Sequence, residues 1–198
     1  MSAPSVAVLF ARRDSVYKAD PRCDVYDFDR NALTFPGGLP VIAHPPCRGW
    51  GGLRHFAKPA PGELDLAPWA IDQVRSFGGV LEHPRASRLW AHCSLPSPGR
   101  VDRFGGFTVG IDQDWFGHRA EKRTLLYVVG VEPGAVPVIP LRLEDPTHVV
   151  SPSSRLRSGM YGYRPQLRKS EREHTPPAFA AWLVALALSC AAPMELAA

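Results

Sequence analysis

The chain has 198 residues, 45% of them hydrophobic and 21% charged, with a formal net charge of +4 and a pI of about 9.0. That length suffices for one domain with a proper core, and no run approaches the roughly 18 apolar residues of a membrane span. The N-terminal apolar stretch is too short for a signal peptide and no basic segment precedes it, so the expectation is a cytoplasmic protein without a membrane partner. The basic balance is compatible with a polyanion, although arginine far ahead of lysine beside abundant Ala, Pro and Gly is also what a GC-rich genome produces. The four cysteines (Cys23, Cys47, Cys93 and Cys190) lie far apart with no zinc-ribbon spacing, so each is judged by its surroundings.

In chain order, SVAVLFA (5–11) reads as a fully buried strand and CDVYDFD (23–29) as a second strand ending in acidic residues. PVIAH (40–44) is a third. Between 63 and 77, Leu66, Trp69, Ala70, Ile71 and Val74 fall near helical spacing; Pro68 is tolerated in a first helical turn, and Gly78-Gly79 ends the pattern. VLEHP (80–84), FTVGIDQ (107–113) and TLLYVVGV (124–131) are further strands, the last two joined by about ten residues. Residues 132–174 are proline- and arginine-rich, a loop or polyanion-binding arm, and 175–192 read as a helix with a broad apolar face packed on the sheet. The whole is predicted to be a single α/β domain with a Rossmann-like, class I methyltransferase-like, mostly parallel sheet flanked by helices. Ligands of such sheets sit beyond the carboxyl ends of the strands, which makes Phe10, Asp27, His44 to Cys47, Glu82 to Pro84 and Gln113 neighbours.

Three motifs stand at those strand ends: HPPC (44–47), LEHP (81–84) and QDWFGHRAEKRT (113–124). Together they resemble the DNA cytosine-C5 methyltransferase family, over about residues 5 to 131. The resemblance implies Cys47 as the nucleophile that adds to C6 of cytosine and so activates C5, with Pro45 and Pro46 stiffening the loop that presents it. Arg48, Arg54 or a helix N-terminus is expected to lower the thiol pKa. The same resemblance gives Glu82 the base, at N3 and the exocyclic amine, and gives Arg119, with Arg123 and Lys122 as alternates, the bracing of base and loop. His44, Pro46, Gln113, His118 and Arg123 line the substrate, with His83 where the family has an asparagine. S-adenosylmethionine is the implied cofactor, DNA or a pyrimidine nucleotide the implied partner. A base in duplex DNA would have to be flipped out to reach Cys47.

The chain departs from that pattern in three places. Arg12, Arg13 and Asp14 follow Leu9-Phe10-Ala11 where glycines are expected, leaving Phe10 with Asp27 or Asp29 as the cofactor contacts. About a dozen residues separate Asp29 from the next strand, too few for a third strand with its adenine-contacting aspartate. A long target-recognition insertion has no counterpart beyond 132–174. Two rival readings follow: a Zn²⁺ or Fe²⁺ enzyme using His44, Cys47, His83 and His118, and a non-catalytic nucleic-acid-binding protein gripping phosphates with Arg12, Arg13 and the 151–174 arm. Trp50 and Trp115 read as packing residues.

Overall fold

The computed structural model describes residue 3 and residues 5–52, 54–151 and 156–190. Its elements in chain order are β1 (Val6–Ala11), β2 (Cys23–Asp27), β3 (Val41–Ala43), α1 (Leu66–Phe77), β4 (Gly79–Pro84), α2 (Leu89–His92), β5 (Phe107–Asp112), β6 (Ala120–Glu121), β7 (Arg123–Val129), β8 (His148–Val149), α3 (Lys169–Glu173) and α4 (Pro177–Ser189). Six strands form one sheet in the order β2-β1-β3-β4-β7-β5. The first four of these run parallel, and β7 runs against both β4 and β5. This is the α/β, mostly parallel, Rossmann-like arrangement expected from the strand pattern. β5 and β7 therefore form a hairpin whose ten-residue excursion carries a short 3-10 turn (Gln113–Phe116) and β6, which pairs with the distant β8. Between β2 and β3 there is only a single 3-10 turn (Ala32–Thr34), so no third strand intervenes.

Alternation along the strands divides the core into two layers. Val6, Val8, Ile42, Val80, Leu126 and Val128 face α4, whose Phe179, Leu183, Val184, Leu186 and Ala187 are all buried. Pro177 opens that helix where a missing N–H costs nothing. Ala7, Leu9, Val41, Ala43, Leu81, Tyr127 and Val129 face α1 on the other side. The buried stripe of α1 is Ala67, Ala70, Ile71 and Val74, with Trp69 and Leu66 half-buried at its flank. Small alanines at the contact let the helix lie close to β3 and β4.

Gly79 opens β4 with φ +119°, opposite Val41. A Cβ there would lie 2.0 Å from the Val41 carbonyl oxygen, so only glycine lets β3 and β4 meet at this register. At the other end of β1, Phe10 has φ 61°, and the pairing of β1 with β2 slips between Leu9 and Ala11. A bulky residue in the left-handed region is unusual, and its ring is held edge-on against Trp69 at 5.9 Å. No helix among the described residues is long and apolar enough to cross a membrane.

Candidate functional site

The site is built from the parallel register of β3 and β4. Ile42 pairs with Val80 and Ala43 with Leu81, so the next step sets His44 beside Glu82. Alternation keeps 42, 44, 80 and 82 on the α4 side of the sheet. His44 Nδ1 donates to Glu82 Oε2 at 3.1 Å, and its Nε2 takes the hydroxyl hydrogen of buried Tyr17 at 3.1 Å. From the other flank, Gln113 Nε2 donates to Glu82 Oε1 and to Thr124 Oγ1, both at 3.1 Å. Tyr17, His44, Glu82, Gln113 and Thr124 thus form one hydrogen-bonded chain across five segments. Each Glu82 oxygen receives one internal bond and keeps lone-pair capacity for another.

Burial alone would raise the Glu82 carboxyl. The hydrogen bond from His44 and the charge of Lys122 more than offset it and hold the group down at about 2. Glu82 is therefore an anion throughout the physiological range. Cys47 follows the His44-Pro45-Pro46 turn and is exposed at the same rim. The protein around its sulfur nonetheless desolvates the thiolate, which with the charge of Glu82 pushes the thiol up against the pull of Lys122. Sulfur and carboxylate are thus electrostatic neighbours sharing one cation. The expected helpers do not act this way: Arg48 is paired with Glu63, and Lys122 is the cation that favours the thiolate.

Hydrogen bonds join His44, Glu82 and Gln113, and exposed Cys47 lies three residues beyond His44 with Pro46 in the turn between them. His118 is buried beside the network; its Nδ1 donates to the Ala120 carbonyl at 2.7 Å and burial lowers its pKa. Other expected members lie elsewhere. Arg119 points outward, to Glu171 at 2.6 Å and His148 at 2.9 Å, because the pairing of β6 with β8 turns it away from the sheet. Arg123 is exposed and paired with Glu121. His83 follows Glu82 directly, so strand alternation sends it to the opposite, α1 face. There it is buried, and burial lowers its pKa to about 4.

That parity also separates the four groups of the metal reading. Among the described residues no set of three or more His, Cys, Asp or Glu side chains is arranged to hold a metal ion. Tyr17 and Thr124 belong to the network without having been expected there, and of the three expected cations it is Lys122, an alternate to Arg119, whose charge acts on Glu82 and Cys47.

The expected S-adenosylmethionine seat lies at the ends of β1 and β2. Asp27 Oδ2 is bound by Lys18 Nζ at 2.5 Å, and its Oδ1 accepts from the backbone N–H groups of Asp29 and Arg30. Asp29 is held by Arg13 at 2.7 Å, while Arg12 bridges Asp14 and Glu173 at 2.9 and 2.8 Å. Both candidate ribose acceptors are thus engaged, and ion pairs stand where a glycine cradle would. The residues present here do not fit that cofactor in this arrangement. Arg12 and Arg13, named in the phosphate-gripping reading, lie at the surface, and each pairs with a surface carboxylate.

Among the described residues, the buried side-chain polar atoms without a partner are Trp50 Nε1, both ring nitrogens of His83, Gln113 Oε1 and His118 Nε2. All belong to the three segments that carry the site. Buried polar atoms are nearly always satisfied, and these fall on both faces of the sheet: Gln113 Oε1 beside Glu82, and the His83 ring and Trp50 Nε1 on the α1 side. No family model and no curated protein matches this chain.

Proposed function

We propose that this protein modifies a pyrimidine base, with cytosine in DNA as the first candidate, by adding the Cys47 thiolate to C6 of the ring. One observation carries the reading: an exposed thiol and an ionised, doubly hydrogen-bonded carboxylate share the rim of adjacent parallel strands under one lysine charge. Glu82 accepts from the exocyclic amine and from an N3–H formed by uptake of a solvent proton, so that the charge added to the ring by the thiolate is neutralised. His44 and Gln113 fix its orientation. Lys122 draws the thiol toward the thiolate. Gln113 Oε1 is a buried acceptor without a partner next to the amide nitrogen that holds Glu82. C5 methylation is the specific reaction implied by the three motifs; because the residues at the ends of β1 and β2 do not fit S-adenosylmethionine in this arrangement, the chemistry proposed here is the thiolate addition itself.

Thiolate addition has a signature that needs no cofactor. Once sulfur is on C6, C5 takes a deuteron from D₂O, and loss of the original C5 proton followed by the thiolate leaves deuterated cytosine. Wild-type protein should exchange C5–H of deoxycytidine or a cytosine oligonucleotide; Cys47→Ser and Cys47→Ala should not. Absence of exchange overturns the reading, and strand binding that survives loss of Cys47 then points to a non-catalytic nucleic-acid-binding protein. Calorimetric titration with S-adenosylmethionine tests the methyl donor separately, since binding requires Asp27 or Asp29 to leave its present partner.

A further inference from the structure

The loop after Cys47 and the loop after Glu82 meet around a second cavity of about 430 Å³, lined by Gly49, Trp50, Arg54, Arg88, Ala91 and His92. Its wall is tied to the nucleophile's backbone. Trp50 and Gly51 N–H groups donate to the Cys47 carbonyl at 3.0 and 3.1 Å, and the Arg88 N–H donates to the Trp50 carbonyl at 2.9 Å. Among the described residues no carboxylate lines the cavity. Arg54 and Arg88 make no ion pair among the described residues, whereas Arg12, Arg13, Arg48 and Arg119 each hold an acidic partner. Trp50 is 8% exposed, and its indole N–H is buried without an acceptor. The His92 ring lies against that indole, with centroids 4.9 Å apart.

A hollow furnished with two unpaired guanidinium groups, an unmatched N–H and no acid has the chemistry of an anion site. We infer that it seats one backbone phosphate of a nucleic-acid strand whose adjoining base is presented to Cys47. The inference rests on the base-modifying reading and deepens it: the substrate is a polynucleotide. Two forked guanidinium groups match the two non-bridging oxygens of a phosphodiester. The position between the loops that follow β3 and β4 places that phosphate beside the base site.

The test measures binding of the full-length chain to a fluorescent single-stranded oligonucleotide containing cytosine, across a salt series. Wild type is compared with the Arg54→Met/Arg88→Met and Arg54→Lys/Arg88→Lys double variants, each checked for wild-type thermal unfolding. One neutralised phosphate contributes about 0.7 to the slope of log affinity against log salt on a single strand. The methionine pair should lose about that much slope and bind roughly tenfold more weakly at low salt. The lysine pair should keep the wild-type slope. Wild-type slope and affinity in the methionine pair overturn the site. If inorganic phosphate or deoxycytidine monophosphate protects against unfolding through these arginines while strand binding ignores them, the strand assignment is wrong.

Deuterium exchange on deoxycytidine, which carries no phosphate, separates the two ideas. Exchange that persists in the methionine pair leaves the base chemistry standing whatever the salt slopes show. No exchange even in wild type removes the base chemistry, and the slope result then stands for the phosphate seat alone.

Discussion

Glu82 and Asp114 are both acidic side chains packed at the same edge of one sheet, yet the first is held down at about 2 and the second is pushed up to about 6. Burial pushes both upward. Around Glu82 stand a histidine donor, an amide donor and a lysine charge; around Asp114 the principal neighbour is a second carboxyl, Asp112. Two adjacent carboxyls resist ionising together, so that pair retains a proton well above the usual range. Its architectural use is visible in Asp112 Oδ1, which accepts from the Lys122 and Asp114 N–H groups at 2.8 and 3.3 Å and so fixes the turn bearing Lys122. One centre offers an anion to a ligand; the other spends its polarity inside the fold. Neighbours, not depth, decide which carboxyl can do chemistry.

Removing the charge breaks this contrast most severely. Glu82→Gln keeps the shape but not the anion, and the C5 exchange rate should fall by about 10² to 10⁴, an order typical of losing a positioned charged group. Next comes His83, on the opposite face of the same strand. Its folded pKa, about 4, lies below the ordinary 6.5. Between those values the unfolded chain binds a proton that the folded chain refuses, so stability declines as pH falls from 6.5 to 4, by about 3 kcal/mol. Glu82, also depressed, adds a second loss between 4.5 and about 2. His83→Leu should flatten the upper part of that decline in denaturant melts and leave the lower part.

Asp114→Asn sharpens the other arm. The raised folded pKa means that its favourable contribution is complete below about 4 and lost as pH rises through about 6. The variant should therefore gain on wild type by about 2 kcal/mol between pH 4 and pH 7.5, measured by the same melts. The smallest effect belongs to Lys122→Met, which removes the cation shared by Cys47 and Glu82. Because the thiol already titrates above its usual range, exchange in wild type should still be rising at pH 9; the variant should need higher pH again and run about tenfold slower at neutrality.

Much of this arrangement was legible in the sequence. Apolar runs fixed the strand positions within a residue or two, and an acid inside so apolar a run as VLEHP pointed to Glu82. The pairing of His44 with Glu82 follows once both strands are taken as parallel and ending together. His83 was misplaced beside the substrate and in the metal reading, although neighbours on a strand cannot share a face and that parity already separates it from Glu82. Tyr17 was not legible, because it lies in a polar stretch with no periodicity and meets His44 only through the tertiary fold. The choice between Arg119 and Lys122 depended on β6 reaching β8, a pairing 28 residues apart that two-residue strands do not announce. The engagement of Asp27 hung on Lys18, nine residues upstream, for the same reason.

The bare α-carbon of Gly79 has a reach that its position conceals. It stands at the opposite end of β4 from the carboxylate, yet it sets the spacing of the two central strands like a gauge block. A single methyl group there would wedge against the Val41 backbone, and the displacement would travel up the ladder to His44 and Glu82. The pairing of His44 with Glu82 at one rim of this sheet thus depends on an empty space at the other.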